Sequence, residues 1–226
     1  MEGMINMSIK ININNWKRKS TYLFFKDYTN PYISVISELD ITNIYNIHKK
    51  YNYSFYGLMS YVSLKAMSNI EEFYVGYKQD DLNEIYRFDN LAISNTIINK
   101  DDCLDFTDYI EYKKGIELKD FLLRFSEKEL EAINGNKEFN SVLDSHRIYA
   151  TTLPNIKFSG FSEPINSNYN DSAIRLCWGK YYDNCDKKNI NYSILVNHCF
   201  EDGKQIGEFF EALQYEIDLL GDYDEK

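Results

Sequence analysis

Val196-Asn197-His198-Cys199-Phe200-Glu201-Asp202-Gly203 is the stretch whose reading decides the fold. Leading into it, Ile190, Tyr192, Ile194 and Val196 recur at every second position, the period of a strand with one buried face, and the alternation carries on to His198. Beyond it, Ile206, Phe209, Phe210, Leu213 and Ile217 recur at helical spacing over about residues 204–219. A strand is thus expected to deliver His198, Gly203 to permit a tight exit, and a helix to follow. Histidine at a strand end is well suited to take and return a proton near neutral pH. Asp202, four residues on, completes an HxxxDG pattern. The pattern is short, and its plain reading is a satisfied core histidine followed by an aspartate that caps the helix.

Working outward, Ile156–Phe161 and Ala173–Tyr182 read as further strands, so the last third of the chain is rich in them. Residues 7–13 alternate as a half-buried strand does. Asp40-Ile41-Thr42 offers caps for a helix running to about Lys50. A second helix covers Phe55 to about Ile70, apolar on most of its surface. Phe73–Lys78 and Asn83–Phe88 read as two strands around the polar turn Gln79-Asp80-Asp81. An amphipathic helix over Lys119–Ile133 turns Phe121, Leu122, Phe125 and Leu130 inward. Helices and strands intermix, which is the pattern of an α/β domain. With 226 residues, three prolines, ten glycines and no evident linker or repeat, the expectation is one domain over residues 1–226.

A formal charge of −10 and a pI near 4.9 set a field that repels a phosphate backbone, so nucleic acid is excluded as a partner class. The four cysteines, at 103, 177, 185 and 199, form no CxxC pair and no zinc spacing with the three histidines, so no metal is expected. No stretch approaches the roughly 20 apolar residues of a membrane helix, and the first 16 residues lack the apolar core of a signal peptide. A cytoplasmic protein with reduced thiols and no membrane partner is the resulting expectation. Aromatics reach 16%, with 20 tyrosines to 14 phenylalanines. Tyrosine suits interfaces and ligand clefts, but the abundance of Asn, Ile, Lys and Tyr together also fits AT-rich coding.

Several segments, in order, carry a resemblance. Trp16-Lys17-Arg18-Lys19 matches a W-x-R-[RK] pattern, and Tyr22-Leu23-Phe24-Phe25 follows it. Glu38-Leu39-Asp40-Ile41-Thr42 contains a DIT helix start. Phe55-Tyr56-Gly57 stands for FYP, and Glu72-Phe73 through Asp80-Asp81-Leu82 for a hairpin of the EFRMAIKDDEL kind. Thr151-Thr152-Leu153-Pro154, Phe158-Ser159-Gly160-Phe161 and Gly179-Lys180-Tyr181 come next, and HxxxDG closes the set. From Trp16 to Gly203 the chain resembles the chloramphenicol acetyltransferases.

The resemblance implies a two-layer α/β sandwich, a mixed and mostly antiparallel sheet with helices packed on it. It implies an acetyl-CoA-dependent O-acyltransferase, acetyl-CoA serving as co-substrate. His198 would be the general base and Thr151 would stand where relatives place the serine that donates to the oxyanion. Asp202 would pair with Arg18 to hold the turn beneath the histidine, with Gly203 and Asn197 completing that support. Tyr56, Tyr181, Lys180 and Cys177 would lie along the acetyl-CoA site, and Phe24, Phe25 and Phe139 would wall the acceptor. The plain readings are a solvated arginine for Arg18 and core or interface tyrosines for Tyr56 and Tyr181. Relatives are homotrimers with the active site between subunits.

Departures from the family pattern cluster near this chemistry. Asn197 replaces the first of two histidines, Ser54 a lysine near the CoA phosphates, and Cys177 a threonine. Glu163 and Arg175 fall at apolar positions of the family's acceptor pocket. Either they bring two opposite charges into it, able to pair with each other, or a one-residue strand shift turns both outward. Three functions stay open on this reading: acetylation of chloramphenicol, acetylation of another, more polar hydroxyl or amine acceptor, or a catalytically weakened binding homologue. Nothing resembles the lipoyl domain or linker of the dihydrolipoyl acyltransferases, which share the fold and a related histidine motif.

Overall fold

The structure is a computed structural model that describes residues 8–78, 81–135, 145–165 and 171–224. In chain order it contains β1 (Ile9–Lys10), α1 (Lys19–Phe25), β2 (Tyr32–Asp40), α2 (Thr42–Tyr51), α3 (Phe55–Met67), β3 (Val75–Tyr77), β4 (Ile85–Arg87), β5 (Leu91–Ile98), β6 (Leu104–Phe106) and β7 (Ile110–Tyr112). Then come α4 (Leu118–Ile133), β8 (His146–Thr152), β9 (Ile174–Trp178), β10 (Tyr182–Asn184), β11 (Lys187–Asn197) and α5 (Gly203–Leu219).

The main sheet runs β10-β11-β9-β8-β5-β6, with β2 also on β11 and β7 also on β5. The β5–β8 and β8–β9 pairings are parallel and the others antiparallel. A small antiparallel sheet orders β1-β4-β3. Ile148 and Ala150, Ile174, Leu176 and Trp178, and Ile190, Tyr192, Ile194 and Val196 share one core with the apolar sides of α2, α3, α4 and α5. Trp178 and Tyr192 stack across the strands with ring centroids 5.5 Å apart. Gly57 lets α3 start hard against α4, because a Cβ there would lie 2.9 Å from Leu122 Cδ2. The fold is therefore the mixed α/β sandwich, helices on one face of the sheet.

Four expectations need correction. Residues 7–13 keep only two residues of strand and then enter a 3-10 turn at Ile13–Asn15, capped by the Asn12 side chain. Residues 156–161 form an irregular segment with a bend at Ser159 rather than a strand, since the segment starts from the Pro154-Asn155 turn and holds Gly160. Leu130 is 59% exposed because it sits seven residues from Leu123, on the outward side of α4. The strand at Phe73–Lys78 begins only at Val75, Glu71–Tyr74 being a 3-10 turn. Gln79 and Asp80 lie outside the described residues.

Candidate active site

His198 does not continue the buried face of β11. The strand ends at Asn197, paired with Tyr32, and the chain then turns. The His198 N–H donates to Pro31 O at 2.8 Å, and the Phe200 N–H returns to Asn197 O at 2.9 Å. The buried Asn197 amide ties the turn on two sides. Its Oδ1 accepts the Cys199 N–H at 3.0 Å and its Nδ2 donates to Asp171 O at 2.9 Å. Within the imidazole, Nδ1 lies 3.0 Å from Glu201 O. A carbonyl oxygen only accepts, so Nδ1 carries the proton and Nε2 presents its lone pair. Phe25 stacks on the ring at 4.1 Å and 21°, fixing its plane. Phe24, Phe25 and Tyr28 form an aromatic cluster with centroids 4.9 to 5.5 Å apart, Phe24 being 62% exposed. The other histidines serve the fold. His48 Nδ1 sits 2.7 Å from Tyr53 O. Buried His146 sits 2.6 Å from Phe73 O, and burial lowers it to about 4.

Beneath the turn, Arg18 Nη1 meets Asp202 Oδ2 at 3.0 Å, across 184 residues of sequence. Asp202 also caps α5: its Oδ1 accepts the Lys204 N–H at 2.9 Å, and its own N–H donates to Gln205 Oε1 at 3.2 Å. Burial pushes the Asp202 carboxyl up, but the Lys204 N–H and Arg18 outweigh it and hold the group below its ordinary range. Glu201 is wholly buried, and neither carboxyl oxygen has a hydrogen-bond partner. Burial drives its pKa well up, against the pull of Arg18 and with the push of Glu72 and Asp202, so it is held as a neutral acid. The Nε and Nη2 of Arg18 are likewise buried without a partner. Gly203 has neither a positive φ nor any atom within 4 Å of a built Cβ, so the tight exit expected of it is not what fixes the turn. Asp202 and Asn197 do that.

On the sheet face turned away from the helices, Thr151 lies level with Cys177 on β9, and Cys177 with Ser193 on β11. Thr96 donates to Thr151 Oγ1 at 2.7 Å, leaving the Thr151 hydroxyl hydrogen free to point elsewhere. Burial pushes the Cys177 thiol up to about 12, with the Glu163 charge adding to it, so it is a neutral thiol. Arg175 is on this face too, ion-paired to Asp171 through contacts of 3.1 and 2.8 Å. Glu163 is on the segment after β8, whose Phe158 carbonyl accepts from Asn191 Nδ2. It does not make the ion pair with Arg175 that the sequence allowed. Phe139 lies outside the described residues.

The expected acetyl-CoA residues are spread along α3 and the end of β9. Tyr56 donates to Ala150 O at 2.7 Å and packs on Trp178 and Phe125. Tyr181 packs on Tyr45 and Phe55. Lys180 is exposed. Ser54 caps α3, accepting the Gly57 N–H at 3.2 Å. Tyr28, Asp171 and Glu201 escaped the sequence reading. Of these only Glu201 carried a signal, a charged residue inside the histidine turn.

His198 and Thr151 do not meet within one chain. His198 is five residues beyond Ser193, and Thr151 is two strands across from it. At about 3.3 Å per residue and about 4.8 Å per strand, the two lie on the order of 20 Å apart.

Solved structures place this arrangement in a class. The chain is similar to a chloramphenicol acetyltransferase structure with a TM-score of 0.78 and 20% identity, over 93% of this chain and 100% of that one. It is also similar to a probable dihydrolipoamide acetyltransferase from Listeria monocytogenes, with a TM-score of 0.66 and 15% identity, over 99% of each chain. The fold is that of the CoA-dependent acyltransferases. The family model for chloramphenicol acetyltransferase matches residues 6–214, and the chain belongs to that family. Relatives include chloramphenicol acetyltransferase 2 of Escherichia coli, 23% identical over 93% of this chain and 97% of its own. A chloramphenicol acetyltransferase of Staphylococcus aureus is 24% identical over 95% and 97%. The protein is an acetyl-CoA-dependent acyltransferase. Among the described residues no helix is long and apolar enough to cross a membrane.

Proposed function

We propose that the protein transfers acetyl from acetyl-CoA to a hydroxyl of a small acceptor, with His198 as general base, in a site built between subunits of a cytoplasmic homotrimer. Residues 1–226 act as one acetyltransferase domain. The observation that carries the reading is the hydrogen bond from His198 Nδ1 to Glu201 O, which leaves Nε2 as the acceptor nitrogen on a ring held by Phe25. His198 Nε2 takes the acceptor's hydroxyl proton as that oxygen attacks the thioester carbonyl. The charge that develops on the carbonyl oxygen is met by the Thr151 hydroxyl, and collapse expels the CoA thiolate, which takes the proton back from His198. Arg18 and Asp202 act as positioning residues beneath the turn.

The separation of about 20 Å between His198 and Thr151 in one chain supports a site that takes the base from one subunit and the oxyanion donor from the next. Chloramphenicol is the acceptor that the relatives' names point to. Thiol release from acetyl-CoA by the purified protein, with and without chloramphenicol, tests the reaction. Chloramphenicol-dependent release that His198→Ala abolishes while the variant stays folded is the expected result. Wild-type kcat in that variant would end the role given to His198.

A further inference from the structure

Near the sheet face that carries Thr151, the Glu163 carboxyl keeps one buried oxygen that the described residues leave without a partner. Arg175 is not that partner. Asp171 takes both ends of its guanidinium, Ala173 O accepts from Nη1 at 3.0 Å, and the Tyr32 and Tyr149 rings flank it, each centroid 5.8 Å from Cζ. The Tyr32 hydroxyl in turn accepts the Asp171 N–H at 2.8 Å. This set is complete without Glu163. Glu163 Oε1 is shut off from water and has no hydrogen-bond partner. Its charge acts on both Arg175 and Cys177, and Cys177 is level with Thr151. Glu163 is thus near the stretch of sheet that carries the oxyanion donor.

A carboxyl oxygen buried without a partner is costly to ionise, and burial raises the group to about 7 against the pull of Arg175. A ligand that brings a cation to Oε1 removes that cost and gains a charge-assisted hydrogen bond. A neutral amide can donate a hydrogen bond to the oxygen but brings no charge to it, and an ether brings neither. Sites built around a buried polar group discriminate strongly against ligands that cannot satisfy it.

We propose that Glu163 holds the protonated amino group of the acceptor, so that the acceptor is a small amino alcohol whose hydroxyl is acetylated. This rests on the reading of Thr151 and His198 given above, and it narrows the acceptor class. In the bound state Glu163 is ionised and the ammonium is its partner. Arg175, kept neutral overall by Asp171, does not repel that ammonium as a bare guanidinium would.

The test uses two acceptors that share the nitrophenyl propanediol skeleton. Chloramphenicol carries a neutral dichloroacetamide on it, and the parent amino-diol carries a free ammonium. Affinity for the intact wild-type protein and for Glu163→Gln is measured by calorimetry at pH 7.5, and thiol release from acetyl-CoA is measured in parallel. The expected result is an amino-diol affinity that falls roughly 10- to 100-fold in Glu163→Gln, the loss of one hydrogen bond to a charged group, while affinity for chloramphenicol rises. No binding of the amino-diol, or equal affinity in the two proteins, overturns the proposal. Binding that depends on Glu163 without thiol release keeps the recognition and removes acetyl transfer to this acceptor. Thiol release with either acceptor that Glu163→Gln leaves alone removes the recognition and keeps the transfer.

Discussion

Asp202→Asn separates two jobs that one side chain performs. Asparagine caps a helix as well as aspartate does, so the bond to the Lys204 N–H survives. What disappears is the charge that faces Arg18 Nη1 at 3.0 Å. The Arg18 side chain is only 10% exposed, and breaking a fully buried pair costs about 3–5 kcal/mol because the remaining charge is stranded. Asp202 itself is 35% exposed, so water screens the pair and the cost drops to about 1–3 kcal/mol. Asp202→Asn is therefore expected to lose about 1–3 kcal/mol. Asp202→Ala gives up the cap as well, about 1 kcal/mol more. Urea denaturation at one fixed protomer concentration reads these values, since subunit dissociation would otherwise enter the result. The sign with pH is also fixed. The Asp202 carboxyl titrates lower in the folded state, so its contribution is present above the unfolded pKa and is lost as pH falls through the folded one. Asp202→Asn lacks that acid-side loss. If Asp202→Asn matched wild type within about 0.3 kcal/mol while Asp202→Ala lost its full amount, the cap alone would matter and the argument from the stranded arginine would fail.

Three further expectations concern Thr151, the shared site and Glu201. Thr151→Ala should lower kcat by roughly 100- to 1000-fold, with Thr151→Ser close to wild type. Mixing Thr151→Ala with His198→Ala under conditions of subunit exchange should restore activity, because some sites then draw the histidine from a Thr151→Ala chain and the threonine from a His198→Ala chain, and no recovery would remove the shared site. Glu201→Gln should flatten the pH dependence of stability. The folded pKa of Glu201 is raised, so its contribution is full below the ordinary carboxylate range and is lost as pH rises toward the folded value. Wild type should weaken relative to Glu201→Gln as pH rises above the ordinary carboxylate range in thermal melts, and parallel curves would show that Glu201 does not titrate there.

The elements legible in the sequence were those with a local signal: α2 and α5 show in their caps and apolar spacing, α3 in its largely apolar surface, and β11 in its alternation. β5 and β8 did not show, because strands in the middle of a sheet are covered on both faces and lose the alternation, as the nearly unbroken burial of Leu91–Ile97 displays. β2 failed for the opposite reason. Its residues are mostly partly exposed along both faces, so Tyr32–Asp40 carries no clean period.

The site divides along the same physical line. Local chemistry such as HxxxDG can be read directly, since the turn that holds His198 is closed by its own neighbours Asn197, Glu201 and Asp202. The partnership of Arg18 with Asp202 spans 184 residues and was reachable only through the family resemblance. The charges at Glu163 and Arg175 could be located but not resolved, because a one-residue shift reverses the face of a strand residue and the sequence does not fix that register. Asp171, which no pattern singled out, settles Arg175: by pairing with it, it leaves Glu163 Oε1 buried without a hydrogen-bond partner. A buried oxygen in that state bears a stability cost, and the cation of a bound amino alcohol is a chemistry that would offset it.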